Sequence, residues 1–200
     1  MSAEASSSSF ITVEQKLATA KQKKETADQA FKLGNVKDAL RSYHEALMYL
    51  LGLDKNALAS MGMAPQPPSS TDAKDGKAKE KTEVDEIVEK IYANMSACHL
   101  KNENWKRAVE AADKALAKNE NNTKALFRKG KALGELGFYE KAVKVLEDLK
   151  TKSPGEAASV DAELARLKAI DDERERAHRK KLKGFLSKDK AKTAFIEEIP

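Results

Sequence analysis

Tyr92-Ala-Asn-Met-Ser-Ala-Cys-His-Leu-Lys-Asn-Glu-Asn-Trp-Lys-Arg-Ala-Val-Glu-Ala-Ala-Asp-Lys-Ala-Leu116 decides the fold, because its pattern recurs 34 residues later. Ala108-Val109 returns as Ala142-Val143, Trp105 returns as Tyr139, and the second copy closes at Pro154. A fixed internal period of this size marks a solenoid array, in which each unit buries its apolar face only against its neighbours. Such arrays offer a long concave surface to a segment of another protein and rarely carry chemistry.

Each copy reads as helix, turn, helix. The turns fall at Lys101–Asn104 and Gly137-Phe138, and Trp105 and Tyr139 follow them, where an aromatic ring pins one helix on its partner. An earlier unit has the same outline. A helix from Val13 to Leu33 ends at the turn pair Gly34-Asn35. Ala39, Leu40, Tyr43, Ala46, Leu47, Leu50 and Leu51 then repeat at helical spacing as one apolar face. The period of 34 residues matches the tetratricopeptide unit. The expected fold is all-α: three tetratricopeptide repeats in a right-handed superhelical array, closed by a long capping helix.

The boundaries follow from composition. Residues 1–12 read as a disordered tail, 13–62 as the first repeat with an extended second helix, and 63–82 as an insert. Pro65, Pro67 and Pro68 stand in the insert among Ser, Lys and Asp, which cannot pack, so it is expected to be a flexible loop. The second repeat covers 83–122 and the third 123–156. Residues 157–192 form the cap and a basic extension, and 193–200 a tail. Val160, Leu164, Leu167 and Ile170 are the cap residues expected to pack on the third repeat.

Charge is distributed unevenly. The net charge is +5 over 200 residues, yet Arg174 to Lys192 holds nine cations and two acids, leaving the remainder slightly acidic. Arg174, Arg176, Arg179, Lys180, Lys181 and Lys183 are the candidates for a basic binding helix, with Leu182 and Phe185 among them. Such a helix suits calmodulin, another acidic protein or an anionic membrane surface. Aromatic residues are too sparse there for single-stranded nucleic acid, so nucleic-acid binding is not expected.

Other classes are disfavoured. The single Cys98 sits where a small apolar residue belongs and cannot form an internal disulfide. His44, His99 and His178 are scattered without metal spacing, and no glycine-rich phosphate loop or Gly-x-Ser-x-Gly is present. No catalytic residues, cofactor or metal are therefore expected. The Ser-rich start lacks an apolar signal core, and no run approaches the ~20 apolar residues of a membrane span. A cytoplasmic protein, with access to the nucleus, is the expectation.

Tyr43-His44-Glu45-Ala46-Leu47, Gly52-Leu53-Asp54, Tyr92 to Cys98 and Lys124-Ala125-Leu126-Phe127-Arg128-Lys129-Gly130 carry a resemblance. The chain resembles the tetratricopeptide repeat protein 9 family and the repeat domains of large immunophilin co-chaperones. The insert after the first repeat and the closing His178-Arg179-Lys180-Lys181 point to the former. Many members of these families hold the C-terminal Glu-Glu-Val-Asp peptide of Hsp90 or Hsp70 in a carboxylate clamp. The resemblance implies that Lys24, Asn94, Lys124 and Arg128 occupy clamp positions, and that Phe31 and Phe127 are groove-lining candidates. The remaining clamp position, usually Asn, is Asp28 here.

Charge-assisted hydrogen bonds from amide, ammonium and guanidinium groups contribute about 1.5–3 kcal/mol each. An acid in their midst works against a ligand carboxylate. At about 5 Å and an effective dielectric of about 20, the repulsion is ~3 kcal/mol. The sequence therefore predicts an adaptor or co-chaperone for an acidic chaperone tail, with Asp28 retuning its affinity. Two other readings stand beside it: a clamp-independent scaffold, and anionic-surface or calmodulin binding through the basic helix.

Overall fold

The structure, a computed structural model, describes residues 12–51 and 82–197, with side chains over 12–50 and 82–185. The expected N-terminal tail, the extension of the second helix past Gly52 and most of the 63–82 insert lie outside these residues. So do the last three residues of the expected C-terminal tail.

Seven α-helices and no strand occur among the described residues. Helices α1 (Val13–Lys32) and α2 (Val36–Leu51) form the first pair. Next come α3 (Glu83–Lys101) and α4 (Trp105–Lys118), then α5 (Thr123–Glu135) and α6 (Tyr139–Lys152). A 3-10 turn at Pro154–Glu156 leads into α7 (Ala157–Glu197). That last helix runs past residue 192 into the segment expected to be a tail, since no proline interrupts it.

Local sequence sets the starts. Thr12 and Gln15 form a reciprocal capping box ahead of α1, and Thr82 with Asp85 does the same ahead of α3. Each box satisfies backbone N–H groups that a helix start would otherwise leave bare. Asn104 caps α4 by accepting from Arg107 N, and the Asn122 side chain accepts from Ala125 N in the first turn of α5.

The three turns share one hydrogen-bond pattern. Asn35 N donates to Ala30 O, Asn104 N to His99 O, and Phe138 N to Leu133 O, each across five residues. This is the Schellman closure, which places the residue before the donor in the left-handed region. Gly34 (φ 85°) and Gly137 (φ 86°) fill that position in two turns, and Glu103 (φ 55°) fills it in the other.

The chain divides into two compact units, Met1–Lys129 and Gly130–Pro200, the division falling within α5. In the first, α1 packs on α2, α3 on α4, and α2 on α3. Alanines 20, 27, 39, 46, 108, 112 and 115 are fully buried, letting backbones approach, while Tyr43, Leu50 and Ile91 supply bulk. Cys98 is fully buried among them, and burial pushes its thiol up to about 11, so it is an inert packing residue. Glu89 is buried but satisfied: its carboxylate accepts from the side-chain amides of Asn119 (2.7 Å) and Asn122 (2.8 Å), tying α3 to the α4–α5 loop.

In the second unit α6 packs on α7. Val160 and Leu167 are buried, with Leu164 and Ile170 half-buried beside them. Arg166 bridges Glu163 (2.6 Å) and Glu135 (2.8 Å), joining α7 to α5.

Candidate functional site

Asp28 stands one turn after Lys24 on α1, on the face that includes the buried Ala20 and Ala27. Its carboxylate gathers donors from three helices. Lys24 Nζ reaches it at 2.6 Å, Asn94 Nδ2 of α3 at 2.9 Å, and the Tyr43 hydroxyl of α2 also donates to it. Tyr43 is fully buried, so its hydroxyl needs a protein partner, and Asp28 is that partner.

Burial pushes the Asp28 carboxyl up, but the Lys24 hydrogen bond, the Tyr43 hydroxyl and the Asn94 amide outweigh it, and the group lies below its ordinary value. Burial and the Asp28 hydrogen bond drive the Tyr43 phenol up, so it stays protonated and donates. Asp28 is thus an anion at neutral pH, compensated by the Lys24 cation.

The network continues to α5. Arg128 Nη1 donates to the backbone oxygen of Ala93 at 2.5 Å, next to the peptide of Asn94. Burial lowers the pKa of Arg128 from its ordinary value, yet a guanidinium remains charged throughout the physiological range. Lys124, one turn earlier on the same helix, is exposed. Neither cation has a carboxylate partner among the described residues.

Lys24, Asp28 and Asn94 are thus linked through their side chains, Arg128 is joined to α3 through the Ala93 backbone oxygen, and Lys124 stands one turn before Arg128 on α5. Two halves differ chemically. Lys24 and Asn94 are already engaged by a protein carboxylate, whereas Arg128 and Lys124 meet none.

Other sequence candidates fall elsewhere. Phe31 packs half-buried against the core of the first unit, with the Lys101 ammonium 5.6 Å from its ring centre. Phe127 is half-buried on α5. Arg174 is drawn out of the basic set: its guanidinium donates to the backbone oxygens of Gly134 and Glu135, both at 3.0 Å, and so caps the C-terminal end of α5. Arg179 pairs with Glu175 at 2.8 Å. Arg176, Lys180, Lys181 and Lys183 are exposed, as are Leu182 and Phe185.

Tyr43 is the site residue that sequence reasoning missed, taken there for a packing ring. A signal was present, since tyrosine rather than phenylalanine at a core position brings a hydroxyl that must be satisfied. No group of three His, Cys, Asp or Glu among the described residues could hold a metal ion.

Paired helices joined by matching turns, with a long helix after the third pair, define a tetratricopeptide-repeat fold. Solved structures of that class are similar to the chain. The C-terminal repeat domain of a Plasmodium falciparum FK506-binding protein matches with a TM-score of 0.62 and 22% identity, over 82% of this chain and 96% of that one. The second repeat domain of human RPAP3, in complex with the HSP70 peptide SGPTIEEVD, matches with 0.53 and 18%, over 78% and 98%. The TPR2B domain of yeast Sti1, in complex with an Hsp70 peptide, matches with 0.54 and 17%, over 76% and 98%. At these identities the likeness establishes the fold. No protein-family model matches the chain. No described helix is long and apolar enough to cross a membrane.

Proposed function

We propose that this chain is a protein-interaction adaptor that takes the acidic C-terminal peptide of an Hsp70- or Hsp90-type chaperone. The observation that carries the reading is the cationic pair on α5. Arg128 is half-buried and Lys124 lies one turn away, and neither meets an acid among the described residues. A partly buried cation without an anion gains from one supplied by a ligand. Lys24 and Asn94, at the other clamp positions, are engaged by Asp28, which modulates the site. Two structural neighbours, RPAP3 and Sti1, were solved with Hsp70 peptides, which supports the choice of ligand. The protein acts by recruitment rather than catalysis.

The test is a fluorescence titration with a labelled peptide ending in Met-Glu-Glu-Val-Asp. The control peptide has its acids replaced by amides and its C-terminus amidated. Saturable binding of the first alone, lost in Lys124→Glu and Arg128→Ala, is expected. Equal binding of both peptides would sink the reading.

A second contact surface is supported by the exposed Arg176, Lys180, Lys181 and Lys183 with Leu182 and Phe185. Binding of anionic vesicles or an acidic protein through it would weaken steeply with salt and vanish when these four cations are replaced by Gln.

A further inference from the structure

Asp28 is already held as a bound ligand would be. Its carboxylate accepts from an ammonium at 2.6 Å, a side-chain amide at 2.9 Å and a buried phenol, supplied by α1, α3 and α2. Three donors on one carboxylate, including a cation, make a filled carboxylate seat. On α5, Lys124 and Arg128 meet no acid among the described residues, and Arg128 spends one of its five N–H groups on Ala93 O. One carboxylate seat is thus occupied by the protein itself, and one is open.

We infer that Asp28 is a specificity-determining residue: it fills one of two carboxylate seats, so the site recognises a peptide end by a single carboxylate, held at Lys124 and Arg128. This rests on the adaptor reading and narrows its ligand class. A terminal Asp carries its backbone and side-chain carboxylates close together, so either can reach the open seat. Peptide ends bearing only one acid, such as a neutral last residue with a free C-terminus, belong to the same ligand class as a terminal Asp.

The alternative, that a ligand displaces Asp28, asks three donors to leave an anion that then has no partner beside the incoming one. Like charges in a half-buried site disfavour that exchange. Asp28→Asn alters the balance. An amide there carries no charge, Lys24 is released, and a second ligand carboxylate can be accepted.

Four labelled peptides test this with the full chain: Met-Glu-Glu-Val-Asp as the free acid, its C-terminal amide, the same peptide ending in Asn as the free acid, and that peptide as the amide. The expected result for the unmodified protein is that losing either terminal carboxylate alone changes affinity by less than threefold, while losing both weakens it at least tenfold. In Asp28→Asn, with folding checked by circular dichroism, each single loss is expected to cost tenfold or more. A tenfold penalty for each single loss in the unmodified protein would overturn the inference and leave the adaptor reading standing. No binding of any peptide to either protein would overturn both.

Discussion

Leu167 of α7 lies directly over the bare Cα of Gly134 on α5. A Cβ added at Gly134 would stand 2.2 Å from Leu167 Cδ2 and 2.9 Å from its Cγ, distances that real atoms do not tolerate. Leu167 is almost fully buried and has no room to retreat. Gly134→Ala should therefore destabilise the second unit by about 1–3 kcal/mol, the usual range for overpacking. Urea denaturation checks this, and Leu167→Ala in the same chain should recover part of the loss. If Gly134→Ala unfolds at the same midpoint as the parent, α7 does not pack as described.

Tyr43→Phe keeps the ring and deletes one donor to Asp28. The expected cost is about 1–2 kcal/mol, since an acceptor in a half-buried network loses a charge-assisted partner. The same substitution made on an Asp28→Asn background should cost less. A double-mutant cycle on denaturation midpoints reads that difference directly, and strict additivity would mean the hydroxyl contributes nothing through Asp28.

Acid should act in two stages. His44 and His99 have pKa values lowered from 6.5, by burial first, then by Lys114 and Arg107 for His44 and by Arg107 for His99. Both bind fewer protons folded than unfolded, so the stability they contribute is lost as pH falls through about 6.5. Asp28 has a folded pKa below 3.8, so its contribution is complete above that value and disappears as pH falls through the folded pKa. Urea midpoints from pH 7 to pH 3 should decline in both windows. Asp28→Asn should lessen the decline in the lower window, where Asp85, held below its ordinary value by its Lys118 hydrogen bond, still contributes, and leave the upper one intact; an unchanged lower window would place the acid sensitivity elsewhere.

Glu103 holds the turn position that Gly34 and Gly137 hold in the other pairs. A residue with a Cβ costs about 1–2 kcal/mol in the left-handed region. The added freedom of an unfolded glycine returns about 0.4–1 kcal/mol of that. Glu103→Gly should raise stability by roughly 0.5–1 kcal/mol on balance. Thermal melting tests it, and a lowered midpoint would indicate that the Glu103 side chain makes a stabilising contact.

The helix pairs could be read from the sequence because turn residues and apolar spacing recur together, and each fixes local structure without reference to distant parts of the chain. Gly34-Asn35 and Gly137-Phe138 are turns by composition alone. The Lys101–Asn104 turn is recognisable only from its repeat register, because Glu103 breaks the glycine rule. The candidate site was legible in part as a set of positions. Lys24, Asn94, Lys124 and Arg128 stand at recognisable positions, and Asp28 is visible as a departure. What the chain does with that departure is a long-range matter. Asn94 lies 66 residues from Asp28, across an insert, and no local pattern announces that the two would bond. Arg174 misled for a related reason: it sits in a run of cations, but its backbone partners on α5 come from 40 and 39 residues earlier.

The closing helix gives the molecule a ruler. At about 1.5 Å per residue, the 41 residues of α7 extend roughly 60 Å, twice the width of a small domain. Arg174 fastens it to the end of α5, and Phe185 stands about 16 Å further along the axis. A partner on the exposed cations beyond Arg174 would be kept at a set spacing from the last helix pair, in the manner of a stiff spacer rather than a tether. Deleting one helical turn after Arg174 would shorten that spacing by about 5 Å and rotate the cations only slightly, whereas deleting two residues would swing them to the opposite side. Separation and direction can therefore be adjusted independently in this part of the chain.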